Sequence, residues 1–527
     1  MGEYTIMRRT LLLVIFGLLS CYTAFSAKIS APATDTFHEG EYLGALWHMK
    51  AYYKGLANFP ILVHGGMDYI PSLIAEQVFG DNAVIVGTRI ILLILTAIMY
   101  FLFLDISNHL TKRENGSWFW TTVVVSIFYY FTPPLNSSVV DVAYFPVRDI
   151  FLFLTIWGFI RTVTTTNRLN AFLFLVVSSM STAFSFFWCY NRGVMAVAFF
   201  TVVILGLCIN RRRFGRFIFS TGTALSCLAL LDISDFFGSI KENIFNISYW
   251  IVNETDINKG PATLKTLPGY LGFLMLCFLA FAAFYTLYRA KHKISRDNED
   301  LFIVIASLVV VQLLLIKTNY HGGGSLYAFN SGWPSILVLF YLGSRLLSIR
   351  INTSIFALEY TYPSPHSETV RLNKAYKLSV AALAVFMVLA SPSLFLYTRF
   401  LKKLILPTPD SQLVSGDVLA MREILADKNN GCYFNWTNDG VIALIAKSKY
   451  CTDYSYVHYA STNHEQNMLN QLKIASPQAI VYDSKTGSVE LDQIHMSNRF
   501  PLVNQYILEN YAGKIKVGTY LVVIKSP

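Results

Sequence analysis

Apolar runs long enough to cross a bilayer recur from Thr10 to about Tyr397, separated by loops that collect the polar residues. They fall at roughly 10–27, 84–104, 118–132, 149–163, 170–188, 194–209, 217–231, 269–288, 300–316, 334–348 and 378–397, which predicts eleven transmembrane helices. The first run, Leu11 to Ala27 behind Arg8 and Arg9, is read as a retained span rather than a cleaved signal peptide, because the apolar stretch is long. From Ser411 the period changes. Helices are predicted to about Asp427 and over Gly440–Ser448, Glu465–Lys473 and Pro501–Tyr511. Strands are predicted at Cys432–Trp436, near Tyr450–Tyr454, at Ala479–Tyr482, and as a pair around Lys514–Val517 and Tyr520–Ile524. The fold class is therefore an α-helical polytopic membrane protein, residues 1–400 with a first outer loop at 28–83, followed by a small α/β unit at 401–527.

Composition agrees with that division. Of 527 residues 54% are hydrophobic and 14% charged, against about a quarter charged in soluble domains. The net charge of +10 does not indicate nucleic acid, because its cations sit in short loops where they fix topology. With a cytoplasmic N-terminus, the cytoplasmic loops hold nineteen Lys and Arg and the longer opposite loops nine. Eleven spans then put the tail outside the cytoplasm. An inner-membrane protein of a bacterium, with its outer loops and tail in the periplasm, is the expected setting.

The polar clusters gather on that outer side: Asp35 to Glu41, His64 to Asp68, Asp141 with Arg148 and Asp149, Asn191-Arg192-Gly193, and His321 to Ser325. A transporter needs ionisable groups within its spans, where these have almost none. Arg89, near the start of the second span, is expected to snorkel to the surface. Tyr42, Leu46, Met49, Tyr53 and Leu56 recur at helical spacing, predicting one amphipathic helix whose apolar face rests on the bilayer. The mixed loop Asp232–Gly269 suits a second surface-lying segment. In the tail, Trp436 to Asp439 ends a strand, where open α/β sheets bind ligands, but without a glycine-rich phosphate loop the tail reads as a lid or acceptor-binding module. Cys432 and Cys451 begin successive strands; if these are adjacent and parallel, the two come within disulfide range.

The order of these features resembles the GT-C superfamily of integral membrane glycosyltransferases, which includes the protein O-mannosyltransferases and the aminoarabinose transferase of lipid A. The resemblance rests on Asp35-x-x-His38-Glu39-Gly40-Glu41 after the first span, on Gly55 to Pro60, and on His64-Gly65-x-x-Asp68, as in bacterial members. The chain departs from the mannosyltransferase pattern at His64-Gly65-Gly66, where Lys/His-Pro-Pro-Leu would stand, and has no Asp-x-Asp or Asp-Glu pair after span one.

The resemblance implies transfer of a hexose or pentose, with inversion, from a polyprenyl-phosphate donor to a glycan, lipid or protein acceptor at the outer membrane face. Asp35 matches the family's catalytic acidic position and is the expected general base, with Glu39 as rival. His38, Glu41, His64, Asp68, Asp141, Arg148, Arg192, Lys265 and His321 are the expected substrate-binding residues, the cations meeting the lipid phosphate. No cofactor is assigned; a divalent metal ion at His38 and Glu41, one helical turn apart, is left open. The alternatives are a surface-polysaccharide polymerase or ligase and a transporter of lipid-linked substrate.

Overall fold

The computed structural model describes residues 38–111, 147–211, 214–231, 299–321, 332–339, 406–428, 496–526 and, with isolated exceptions, 432–483, besides scattered positions between 238 and 341. Asp35, Asp141 and Lys265, the expected spans at 10–27, 118–132 and 378–397, and nearly all of the 232–269 loop lie outside the described residues.

The first outer loop holds α1 (His38–Leu43), α2 (Leu46–Tyr53), a 3-10 turn (Gly66–Asp68) and α3 (Ile70–Phe79). Then come the long helices α4 (Val84–Thr111), α5 (Ile150–Thr164), α6 (Arg168–Trp188), α7 (Tyr190–Arg211), α8 (Phe214–Leu231) and α9 (Glu299–His321). Among the described residues three helices are long and apolar enough to cross a membrane, and a fourth span arises if Gly66–Phe79 and Val84–Thr96, bent by 117°, count as one. Small residues let the helices approach: a Cβ on Gly158 would lie 2.8 Å from Ser178 Cβ. Ser178 Oγ donates to Thr155 O at 2.7 Å, joining α5 to α6, and Ser179 and Ser220 hydroxyls meet at 2.7 Å, joining α6 to α8. Such stripes of Ser, Thr and Gly pack helices where lipid offers no hydrophobic gain. Leu169, Phe172, Leu205, Ile218, Leu225 and Leu313 remain exposed, as lipid-facing side chains should.

Helices α5 to α8 alternate in direction. Starts of α4, α5 and α7 meet the ends of α6 and α9 at one end of the bundle, here called outer. The other end gathers the ends of α4, α5 and α7 with the starts of α6, α8 and α9. At that inner end an ionisable network escaped the sequence reading: Trp157 Nε1 donates to Asp105 Oδ2 at 2.7 Å, Arg161 Nη2 lies 3.1 Å from the same oxygen, and Arg161 Nη1 lies 2.6 Å from His109 Nε2.

The tail contains α10 (Gly416–Lys428), β1 (Cys432–Asn435), α11 (Val441–Ala446), β2 (Lys449–Tyr450), α12 (Glu465–Ala475), β3 (Ala479–Asp483), α13 (Met496–Arg499), α14 (Pro501–Asn510), β4 (Gly513–Val517) and β5 (Tyr520–Ile524). The sheet order is β2-β1-β3-β5-β4, with β1 parallel to both neighbours and β5 antiparallel to both of its own. Side chains alternate across it. Tyr433, Val481 and Val522 enter one core, while Phe434, Ile480 and Val523 enter the other. Cys432 and Cys451 are joined by a disulfide with α-carbons 5.0 Å apart, as the parallel pairing of Tyr433 with Tyr450 allows. The strand predicted near Tyr450–Tyr454 is shorter than expected, because beyond Cys451 the chain turns to the outer loop, where Asp453 O accepts Ile61 N–H at 2.6 Å.

The first tail core is shared with the outer loop. Tyr42, Leu43 and Leu46 pack in one cluster with Val441, Ile442, Leu444 and Tyr450. This corrects the expectation that the apolar face of the loop helix rests on lipid: the tail covers it, leaving Tyr53 and Leu56 exposed at its far end. Nor is it a single helix. It breaks at Gly44–Ala45, where a Cβ on Gly44 would lie 2.5 Å from Tyr450 Oη. Further ties are Trp47 Nε1 to Leu444 O at 2.9 Å and the Asp410 carboxylate, which accepts Val84 N–H at 3.0 Å and Ile85 N–H at 2.9 Å and so caps α4.

Candidate functional site

The turn after α2 is built for close approach. Gly65 has φ 128°, and a Cβ there would lie 2.7 Å from Phe187 O, so both backbone angle and space call for glycine. The turn therefore sits against the end of α6, and His64 O accepts Tyr190 N–H at 3.0 Å at the start of α7. Within it, the buried Asp68 carboxylate accepts His64 N–H at 2.7 Å and lies 2.9 Å from His64 Nδ1. Burial raises the Asp68 carboxyl to about 7, against the lowering effect of the His64 backbone hydrogen bond and of the Arg148 charge.

Arg148 and Asp149 directly precede α5 and are held there by Trp188 Nε1, which donates to Val147 O at 2.9 Å. Asp149 pairs with Arg192 of α7, Oδ1 to Nε 2.6 Å, and its Oδ2 accepts Trp333 Nε1 at 3.3 Å. Arg148 lies close enough to Tyr42, Asp68, Asp149 and Cys189 for its charge to act on each of them. Segments of three distant parts of the chain thus meet at the outer end of the bundle. His321 ends α9 at the same end, although its side chain is outside the described residues.

The acidic helix contributes differently. Glu39 is buried and gripped by Arg89 of α4, Oε1 to Nε 2.5 Å and Oε2 to Nη2 2.9 Å. Arg89 does not snorkel: it is 3% exposed and turned inward, because the bidentate carboxylate offers more than a partly hydrated surface position. Glu41 is also buried, beside Tyr42. Among the described residues no group of three or more His, Cys, Asp or Glu is arranged to hold a metal ion, and the side chain of His38 is outside that set.

At the tail's strand end, the Asp439 carboxylate accepts Val441 N–H at 3.0 Å and Tyr520 Oη–H at 2.5 Å, which ties the turn to the start of α11 and to β5. The residues that sequence reading missed are Arg89 as a partner, Tyr42, Asp149 as the neutraliser of Arg192, and Cys189. Residue order shows their type and their place beside apolar runs, and that says nothing of which charges meet.

No family model matches the chain, and no curated protein matches it. Among solved structures it is similar to ArnT from Cupriavidus metallidurans bound to undecaprenyl phosphate, at 12% identity and TM-score 0.47, with 97% of each chain covered. It is also similar to the apo oligosaccharyltransferase of Archaeoglobus fulgidus, at 10% identity and TM-score 0.46, over 90% of this chain and 69% of that one. Both likenesses are remote in sequence and in shape.

Proposed function

We propose that the chain is a membrane glycosyltransferase that moves a sugar from a polyprenyl-phosphate donor to an acceptor at the outer membrane face. The observation that carries the reading is the gathering of His64, Asp68, Arg148, Asp149 and Arg192 where the apolar helices end, beneath the α/β tail. A polyprenyl chain stays in the bilayer, since each CH₂ moved into water costs about 0.8 kcal/mol. Its phosphate is therefore met at the helix ends, where these cations lie.

In the reaction the acceptor hydroxyl or amine gives its proton to a carboxylate and its lone pair attacks the anomeric carbon. The bond from that carbon to the phosphate oxygen breaks, and the electron pair leaves with the polyprenyl phosphate. A single displacement of this kind inverts the anomeric centre. Asp35, three residues before α1, is the proposed base. Glu39 is the weaker candidate, because the Arg89 guanidinium engages both its oxygens and so occupies the lone pairs a base would use. Arg148 is the proposed phosphate contact. Arg192, half-neutralised by Asp149, orients the α5–α7 junction as much as it binds anion. A second reading gives the base to Asp68, whose titration at about 7 is matched to taking a proton near neutral pH.

The test is turnover by the purified full chain in a bilayer, offered hexosyl- and pentosyl-phosphate polyprenols with cell-envelope acceptors. Release of polyprenyl phosphate with sugar gained by the acceptor is expected, falling by roughly two to four decades in Asp35→Asn. Normal turnover by a folded Asp35→Asn and its loss in Asp68→Asn would move the base to Asp68. Donors left intact in every combination, or carried across the bilayer unchanged, would overturn the reading.

A further inference from the structure

The inner end of the bundle holds a cavity of about 250 Å³, on the opposite membrane face from the cluster just described. Its polar wall is built from the α5–α6 turn, through Thr162, Thr165, Thr166 and Arg168, together with Arg216 of α8 and Asp300 of α9. Its floor is apolar, from Leu175, Ile204 and Leu207. We propose that this cavity binds the phosphate-bearing head group of an anionic phospholipid.

Charge, size and setting each bear on that choice. Two guanidinium groups and one carboxylate line the cavity, a surplus of one positive charge. Guanidinium forks with neighbouring hydroxyls suit phosphate oxygens. The volume lies under the roughly 300–1,000 Å³ of pockets for drug-sized ligands, a size that suits a head group. The residues around the arginines decide between a soluble anion and a lipid. Leu169 follows Arg168 and is 65% exposed, and Phe214 and Ile218, each two residues from Arg216, are 63% and 69% exposed. An apolar surface of this kind beside a cationic cavity receives an amphiphile, with acyl chains lying along α6 and α8. The proposal is independent of the glycosyl-transfer reading, since it concerns the other face and no residue of that cluster.

The experiment measures lipid retained by the full chain, purified from vesicles of equimolar phosphatidylglycerol and phosphatidylcholine, by native mass spectrometry. Parallel thermal unfolding is recorded with added phosphatidylglycerol, phosphatidylcholine or inorganic phosphate. Selective retention of phosphatidylglycerol is expected, lowered about tenfold or more in Arg168→Gln/Arg216→Gln. The single Arg168→Gln, at an exposed position, keeps the test open if the double variant does not fold. Protection by inorganic phosphate equal to that by phosphatidylglycerol would overturn the lipid assignment and leave a site for a soluble anion. Equal retention of the two lipids by the unaltered chain would overturn the proposal. So would an equal loss in a Lys112→Gln/Arg113→Gln control, which removes the same charge from the chain just after α4 and would leave only diffuse membrane electrostatics.

Discussion

Glu39 and Arg89 lie fifty residues apart in sequence and share a two-point ion pair at the junction of α1 and α4. Removing one partner strands a buried charge, at roughly 3–5 kcal/mol. Glu39→Gln is therefore expected to lower the unfolding temperature and folded yield, and Glu39→Gln/Arg89→Leu to recover much of the loss; a double variant as unstable as the sum of the singles would contradict the pairing. Asp68 behaves oppositely to an ordinary carboxylate. Its folded value of about 7 stands above the usual 3.8, so the native state holds a proton that the unfolded chain has released between those values. Stability from this group is present below about pH 4 and is lost as pH rises to about 7. Thermal unfolding of Asp68→Asn should accordingly show a flatter decline across that window than the unaltered chain.

At the scale of elements, the tail's strands are short, β1 having four residues and β2 two, so parallel pairing alone holds β2 weakly. The disulfide closes a loop between positions 19 apart, which stabilises by about 3 kcal/mol if unstrained. Cys432→Ala/Cys451→Ala should lower the tail's unfolding midpoint while the membrane helices keep their circular-dichroism signal. An unchanged midpoint would make the bridge dispensable. The α5–α6 contact has a different basis. Gly158, Thr155 and Ser178 are small or hydroxylated, and the helices close upon one another because nothing larger intervenes.

At the scale of the whole molecule, the tail is docked through the first outer loop. His48 lies at that junction, 2% exposed, its Nε2 3.0 Å from Asn58 O and its Nδ1 accepting Tyr450 N–H at 3.2 Å. A neutral ring serves both contacts, donating through one nitrogen and accepting through the other. Burial pushes it down to about 4, so its contribution is present above about pH 6.5 and is lost as pH falls through about 4, on the order of 3 kcal/mol. Limited proteolysis should cut the chain around residues 406–416 faster at pH 4.5 than at pH 7.5. His48→Gln should largely remove that difference; an unchanged pH dependence in the variant would place the sensitive group elsewhere.

What the sequence determined by itself was one-dimensional: apolar length, period and the loops that carry charge. Those are set by the bilayer and by backbone geometry, so the apolar helices, the β-α alternation of the tail and the strand at Ala479–Tyr482 were legible from residue order. Nearness in space was not. The tertiary structure decided that Arg89 turns inward, that Asp149 takes Arg192, and that Tyr42 and Leu46 are covered by the tail instead of lipid. An apolar stripe records only that a surface avoids water, and a charge records only that it needs a partner. Which surface and which partner depend on the chain's return some 50 to 400 residues later, as with Glu39 to Arg89 and Trp47 to Leu444.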